Sequence, residues 1–214
     1  MRPARARVLF RTRAHRGGEG AARVEANARL TAMTAVVLLL LVLAELATVV
    51  LGARGHLSLH VIVGLILVPP VLLKIGTTTW RMVSYYRGDA AYLEQGPPPL
   101  PLRILGPFLV VLTFLVLGSG IGLVVVPHSA HSSLLIVHKA SFYLWLATFL
   151  IHAVAHFKQM IRLAGRDVLA RTRVLSAGVR SRRLVLGGSV LLGIALALLL
   201  AHRAEVYLRI YPHK

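Results

Sequence analysis

Five apolar segments, each about 20 residues long, dominate this sequence. They cover residues 31–53, 57–80, 104–126, 133–157 and 184–201. Each is long enough to cross a hydrocarbon layer of about 30 Å. Lipid offers the backbone no hydrogen-bond partners, so each segment must be helical to satisfy its own peptide groups. The sequence therefore predicts an all-α integral membrane bundle with five transmembrane helices.

The basic residues are distributed unevenly between the two sides of these segments. Of 25 Lys and Arg, eight precede the first span, four flank the connection between the second and third, and eight flank that between the fourth and fifth. The other five lie on the opposite side. The positive-inside rule then places the N-terminus in the cytoplasm and the C-terminus outside a plasma membrane. Because topology accounts for the net charge of +18, nucleic-acid binding is not expected.

The pattern divides the chain into four parts. Residues 1–29 are rich in Arg, Ala and Gly without apolar periodicity, which predicts a disordered basic cytoplasmic arm. Residues 30–160 form a predicted four-helix core, residues 161–183 a basic cytoplasmic loop, and residues 184–214 a fifth helix with an outer tail. The absence of cysteine excludes disulfides, thiolate zinc sites and iron–sulfur clusters.

Histidines inside the apolar segments are the main candidates for function, because ionisable groups are costly in a membrane. The second and fourth spans run in the same direction, and His60 and His138 lie near the outer end of each. Two neutral imidazoles that face each other at one depth can ligate the iron of a b-type haem from both sides. Glycines at this level would let a flat macrocycle approach the backbone, or serve ordinary helix packing. They are Gly64, Gly118, Gly120 and Gly122.

The fourth span carries a second histidine on the same face. His152 follows His138 by fourteen residues, which places it about 21 Å lower along the helix. This spacing, with a parallel helix that carries an outer histidine, resembles the membrane cytochromes b, both the respiratory type and the small bacterial four-helix type.

The segments HVIVGLILVPPVLLK, TTTWRMVSYYRGD, GPPPLPLR and HKASFYLW also resemble actinobacterial membrane proteins of a cytochrome-b-like group. The similarity covers about residues 30–160. It implies haem b on His60 and His138 in an electron-transfer subunit, which would link the quinone pool to an extracytoplasmic oxidoreductase.

One position departs from the two-haem pattern of that family. Lys74, not histidine, follows His60 by fourteen residues. The resemblance therefore implies one haem and leaves a second, at His152, open. The alternatives for this lower level are a quinone whose carbonyl is polarised by Lys74 and His152, or a simple polar network.

Two other functions compete with the cytochrome. Five histidines near the outer face could bind zinc or copper, since imidazole suits both metals. They are His56, His60, His128, His131 and His138. The chain could also only anchor a partner. No paired carboxylates, activated nucleophile, phosphate loop or dinucleotide-binding glycine pattern is present, so a conventional enzyme is not predicted.

Overall fold

The chain folds into long helices joined by short connections. The computed structural model describes residues 3–52, 55–97, 100–126, 131–168 and 178–210. Within these ranges the structure contains six helices and no strand. The helices are α1 (Pro3–Val50), α2 (Leu57–Tyr86), α3 (Ala90–Leu93), α4 (Leu100–Val125), α5 (His131–Val168) and α6 (Val179–Ile210).

Five of the helices in the described ranges are long and apolar enough to cross a membrane. Their candidate spans are Gly18–Val50, Leu57–Tyr86, Leu100–Val125, His131–Gly165 and Val179–Leu200. Large apolar side chains such as Val154 and Leu199 are 78% exposed, which a water-soluble protein rarely allows on this scale. The predicted all-α bundle of five spanning helices is therefore confirmed, and the chain is a multi-pass membrane protein.

Four of the long helices form a ring, and the fifth lies outside it. Packing contacts join α1 to α2 and α5, and join α4 to α5 and α2. The order around the ring is therefore α2, α1, α5, α4, which places α2 and α5 diagonally across the interior. Helix α6 packs mainly against α2. Near one end of the bundle, α1, α5 and α6 share a small buried cluster of Ala32, Met33, Ala164 and Leu186.

Glycines in the left-handed region end the first two helices. Gly52 follows α1 with φ +99°, and Gly88 follows α2 with φ +80°. Side chains with a Cβ rarely adopt these angles, so glycine is the residue that lets the chain turn here. Asp89 then begins α3, because its side chain accepts a hydrogen bond from the Ala91 amide at 3.0 Å.

Two predicted boundaries differ from the structure. The sequence predicts a disordered arm over residues 1–29, whereas α1 begins at Pro3. Within residues 18–29 packing accounts for the helix, because Val24 is only 3% exposed and a Cβ on Gly20 would lie 3.0 Å from the Ala91 Cβ. Likewise α5 continues to Val168, so the predicted loop of residues 161–183 begins later in the structure. Residues 169–177 of that loop lie outside the described ranges.

A close contact between α2 and α6 occurs where two prolines interrupt α2. Pro69 and Pro70 lie inside this helix, and proline has no amide hydrogen. The carbonyl of Ile66 therefore lacks the donor that residue 70 would normally supply. Gly193 of α6 packs directly on this carbonyl, since a Cβ there would lie 2.5 Å from the Ile66 oxygen. The glycine allows the two backbones to meet at the interrupted turn.

Candidate functional site

His60 and His138 come together across the interior of the bundle. His60 lies in the first turn of α2, and His138 lies two turns into α5. Their ring centroids are 6.2 Å apart and their planes are nearly perpendicular, at 85°. Because α2 and α5 are diagonal neighbours, the two rings approach through the centre of the helical ring and not through a helix–helix interface. The structure thus brings together two residues that the sequence places at one depth.

Helix α1 supplies the two side chains that contact His60 Nδ1. The Thr48 hydroxyl lies 3.0 Å from this nitrogen, and Glu45 Oε1 lies 3.2 Å from it. Thr48 also donates a hydrogen bond to the backbone carbonyl of Glu45 at 2.6 Å. A hydroxyl has a single hydrogen. When that hydrogen goes to the Glu45 carbonyl, the Thr48 oxygen accepts from the ring, and His60 then carries its hydrogen on Nδ1.

Helix α4 holds His138 in the same way. The carbonyl oxygen of Val116 lies 3.0 Å from His138 Nδ1, and the Ser119 hydroxyl lies 3.2 Å from it. Ser119 donates its own hydrogen to the carbonyl of Leu115 at 2.6 Å. Since a carbonyl can only accept, the hydrogen again lies on the ring nitrogen. His138 therefore has the same tautomer as His60.

These contacts occupy Nδ1 of both rings, and a ring whose Nδ1 is the donor has an unprotonated Nε2. In a neutral imidazole one nitrogen donates and the other carries a lone pair. With Nδ1 as donor in both rings, each Nε2 is a potential metal ligand. The Nδ1 atom of the same ring is held by an oxygen acceptor. That arrangement is typical of histidines that bind metals, where the outer hydrogen bond orients the ring. Among the described residues, the hydrogen bonds of both rings are made through Nδ1 alone.

The glycines predicted to make room for a macrocycle have different surroundings. A Cβ on Gly120 would lie 3.1 Å from the His138 ring, so this glycine makes room for the imidazole. A Cβ on Gly64 would meet Glu45 Oε1 at 3.2 Å, so Gly64 makes room for the carboxyl group and not for a flat ring. A Cβ on Gly122 would lie 3.5 Å from the Leu134 side chain, and a Cβ on Gly118 would have no neighbouring atom within 4 Å.

A second polar cluster lies at the level of Lys74. Its ammonium donates a hydrogen bond to the carbonyl of Thr31 in α1 at 3.0 Å and lies within electrostatic range of His152 and His156. The two histidine rings are 4.6 Å apart. His152 Nδ1 is buried and has no hydrogen-bond partner. In the described part of the chain, Lys74 also has no carboxylate within ion-pair distance. Lys74 and His152 therefore lie in one polar region of the bundle.

The two other outer histidines that the structure describes do not join the pair. His56 is exposed and its Nδ1 lies 3.3 Å from the Gly52 carbonyl, while His131 bonds the Val126 carbonyl through Nε2 at 3.0 Å. His128 lies outside the described residues. Where side chains are described, no group of three or more histidine or acidic residues could hold a metal ion. The zinc or copper alternative gains no support from this arrangement, whereas a haem needs only two protein ligands because its porphyrin supplies the other four.

Comparison with known proteins identifies no relative of this chain. No protein-family model, no curated protein and no solved structure matches the chain. The interpretation of the site therefore depends on the residues themselves.

Sequence reasoning missed the groups that orient the two histidines. Thr48 and Ser119 are the hydroxyl side chains concerned, and each lies in an otherwise apolar stretch, LATVV and LGSGIG. Such a hydroxyl at the depth of a histidine is a signal that could have found them. The contribution of the Val116 carbonyl has no signal in the sequence, because every residue has a carbonyl group.

Proposed function

We propose that this chain is a membrane-bound b-type cytochrome, an electron-transfer subunit that links the quinone pool to a partner oxidoreductase. The observation that carries the proposal is the pair His60 and His138. Their ring centroids lie 6.2 Å apart across the bundle, and the hydrogen bonds of both rings use Nδ1, which leaves each Nε2 available to a ligand. Metal–imidazole bonds are about 2.0 Å long, so two rings that share one metal have centroids roughly 6 Å apart.

A purely structural role fits this pair less well. Two histidines that stabilise a bundle would be expected to hydrogen bond to each other or to a polar neighbour through both nitrogens. Here the hydrogen bonds of both rings are made through Nδ1, and no described residue bonds either Nε2. The donor set is therefore suited to a group that accepts electron pairs, and an iron with two vacant axial positions is such a group.

The protein would contribute ligands, orientation and an apolar environment. A bound haem b supplies one-electron redox chemistry. His60 and His138 would hold it, Thr48 and Ser119 keep the rings in the ligating tautomer, and Gly120 keeps the His138 ring clear of the α4 backbone. The surrounding apolar helices would give the bound group a low-dielectric environment.

The Lys74 cluster supports a quinone as the redox partner within the membrane. The buried, unpartnered Nδ1 of His152 and the ammonium of Lys74 lie in one region, and among the residues that the structure describes no carboxylate forms an ion pair with Lys74. A quinone carbonyl is an acceptor for both groups when the imidazole carries its hydrogen on Nδ1. Lys74 replaces the histidine that a second six-coordinate haem would need, so we favour a quinone here over a haem.

The orientation of the chain is part of the same proposal. The basic residues at the ends of α1, α2 and α5 favour a cytoplasmic N-terminus in the plasma membrane. The histidine pair would then lie towards the outer face, where it could exchange electrons with an extracytoplasmic oxidoreductase, and the Lys74 cluster towards the cytoplasm.

An absorbance spectrum of the protein tests the central claim. Protein purified in detergent after expression with sufficient haem should show a Soret band and about one haem per chain. The variants His60→Ala and His138→Ala should each lose the six-coordinate spectrum, because the iron then lacks one axial nitrogen. A reproducible ratio of two haems would instead place a second one at the Lys74 level.

A matched control separates ligation from general damage. His56 lies one turn before His60 but is exposed, so His56→Ala should retain the spectrum. Gel filtration of all variants reports whether they remain folded. A wild-type protein without a Soret band, or a His60→Ala variant with an unchanged spectrum, would contradict the proposal.

A further inference from the structure

Three helices of the ring contact both polar levels of the interior, at the histidine pair and at Lys74, through residues fourteen positions apart. They are Thr31 and Glu45 on α1, His60 and Lys74 on α2, and His138 and His152 on α5. In an α-helix this separation returns to nearly the same face, about 21 Å further along the axis. The residue halfway between the two members therefore lies on that face as well, about 10 Å from each level.

The halfway residues are apolar on all three helices. They are Leu38, Leu67 and Trp145. On α4 the Thr113 hydroxyl lies 2.9 Å from Trp145 Nε1, which places the preceding residue, Leu112, at the same level. Leu67 and Leu112 are buried. These four apolar residues form a middle layer, to which each helix of the ring contributes one side chain.

The polar atoms at this level are already engaged. An indole nitrogen can only donate, so the Trp145 hydrogen goes to the Thr113 oxygen. The Thr113 hydroxyl donates its own hydrogen to the carbonyl of Leu109 at 2.7 Å. The Trp145 ring is also stacked on Phe149, with centroids 4.8 Å apart and planes at 8°. Both donor hydrogens are therefore committed, and the indole is held by α4 and by its own helix.

Polar groups lead from each level towards one end of the bundle. The His156 ring lies 4.6 Å from the His152 ring and hydrogen bonds to the side chain of Gln159, which is exposed. At the other end His60 lies in the first turn of α2, and the side chains of His60 and Glu45 are 22% and 17% exposed. Among the described residues, the middle layer thus separates two sets of polar groups that approach each other from opposite ends.

We propose that the middle layer is a barrier that keeps the water and protons of the two polar levels apart, with Trp145 as its principal element. Protons move along water molecules and hydrogen-bonding side chains, and an apolar constriction excludes the water that they need. Trp145 is the largest side chain of the layer. The inference goes beyond the proposed function and does not depend on it. In a quinol-oxidising cytochrome the barrier would confine the released protons to the side of Lys74.

Proton flux into lipid vesicles tests the inference. The full chain is reconstituted into vesicles that contain a pH-sensitive dye, and a potassium diffusion potential drives protons across the membrane. Wild-type vesicles should be no more permeable than protein-free vesicles. Trp145→Ser removes the ring and admits water, so the proton flux should rise about tenfold. Trp145→Phe keeps an apolar ring without the hydrogen bond and should remain close to the wild-type flux.

A second tryptophan provides the matched control. Trp80 is 60% exposed and lies outside the middle layer, so Trp80→Ser should leave the flux unchanged. Gel filtration in detergent reports whether each variant remains folded. If Trp145→Ser does not fold, Leu67→Ser opens the same layer from α2 and should raise the flux in the same way.

Three results would overturn the inference. The first is a wild-type chain that itself conducts protons. The second is a folded Trp145→Ser or Leu67→Ser variant with the wild-type flux. The third is a Trp145→Phe variant that leaks as much as Trp145→Ser, because the hydrogen bond to Thr113 and not the apolar ring would then block the path. The flux is measured whether or not the protein shows a Soret band, so failure of the proposed function and failure of this inference are distinguishable.

Discussion

The contact between Gly193 and the Ile66 carbonyl predicts a sharp difference between glycines of one helix. Gly193→Ala would place a methyl group 2.5 Å from a backbone oxygen and 3.0 Å from the Ile66 Cα. Neither atom belongs to a flexible side chain, so α6 must move away from α2. Gly188, in the same helix, has no neighbouring atom within 4 Å of an added Cβ and provides the matched control.

The size of the effect follows from two opposing contributions. Overpacking of a close contact costs about 1–3 kcal/mol. Alanine is favoured over glycine inside a helix by about 0.8–1.0 kcal/mol, and this gain applies to both variants. The free energy of unfolding should therefore be lower for Gly193→Ala than for Gly188→Ala by about 1–3 kcal/mol. For a chain of this size that difference corresponds to roughly 2–12 °C in Tm.

Thermal unfolding of the two variants in the same detergent, followed by circular dichroism, measures this difference. Gly188→Ala should unfold at or above the wild-type temperature, and Gly193→Ala below Gly188→Ala. Equal Tm values for the two variants would refute the reasoning, since they would mean that α6 does not pack on the proline-interrupted turn of α2.

Two further predictions concern the Lys74 cluster and the topology. Under the proposed function, Lys74→Met should slow the reduction of the haem by quinol, because the ammonium that would polarise the quinone carbonyl is lost. The absorbance spectrum should stay intact. Loss of the spectrum would mean that Lys74 helps to hold a haem. Single cysteines can report topology because the chain has none. In intact cells an impermeant thiol reagent should label Ser58→Cys and not Gly18→Cys, and the reverse pattern would contradict the proposed orientation.

The helices and their depths could be predicted because they follow from local properties of the chain. Apolar length determines the spans, and counting residues from the span ends placed His60 and His138 at one level. The extension of α1 towards residue 18 could not be predicted in this way. It depends on Val24 and Gly20 packing against other elements, and no periodicity in the sequence reports that packing.

The surroundings of the candidate site were harder to predict than its histidines. Gly64 lies one turn after His60, which suggested space for a cofactor, but the rotation of α2 turns it towards Glu45 of α1. Such rotations depend on how whole helices pack, which residue spacing within one helix does not reveal. The tautomers of His60 and His138 depend in turn on hydroxyl hydrogens that Thr48 and Ser119 share with their own helix turns.

Helix α1 touches both levels of the interior. The carbonyl of Thr31 accepts from Lys74, and Glu45, fourteen residues later, contacts His60. These two points are about 21 Å apart along one uninterrupted helix. A sliding or turning movement of α1 at Thr31, carried along the helix, would displace the Glu45 carboxyl as well. A change at the Thr31–Lys74 contact near one membrane face could in this way alter the surroundings of His60 near the other face.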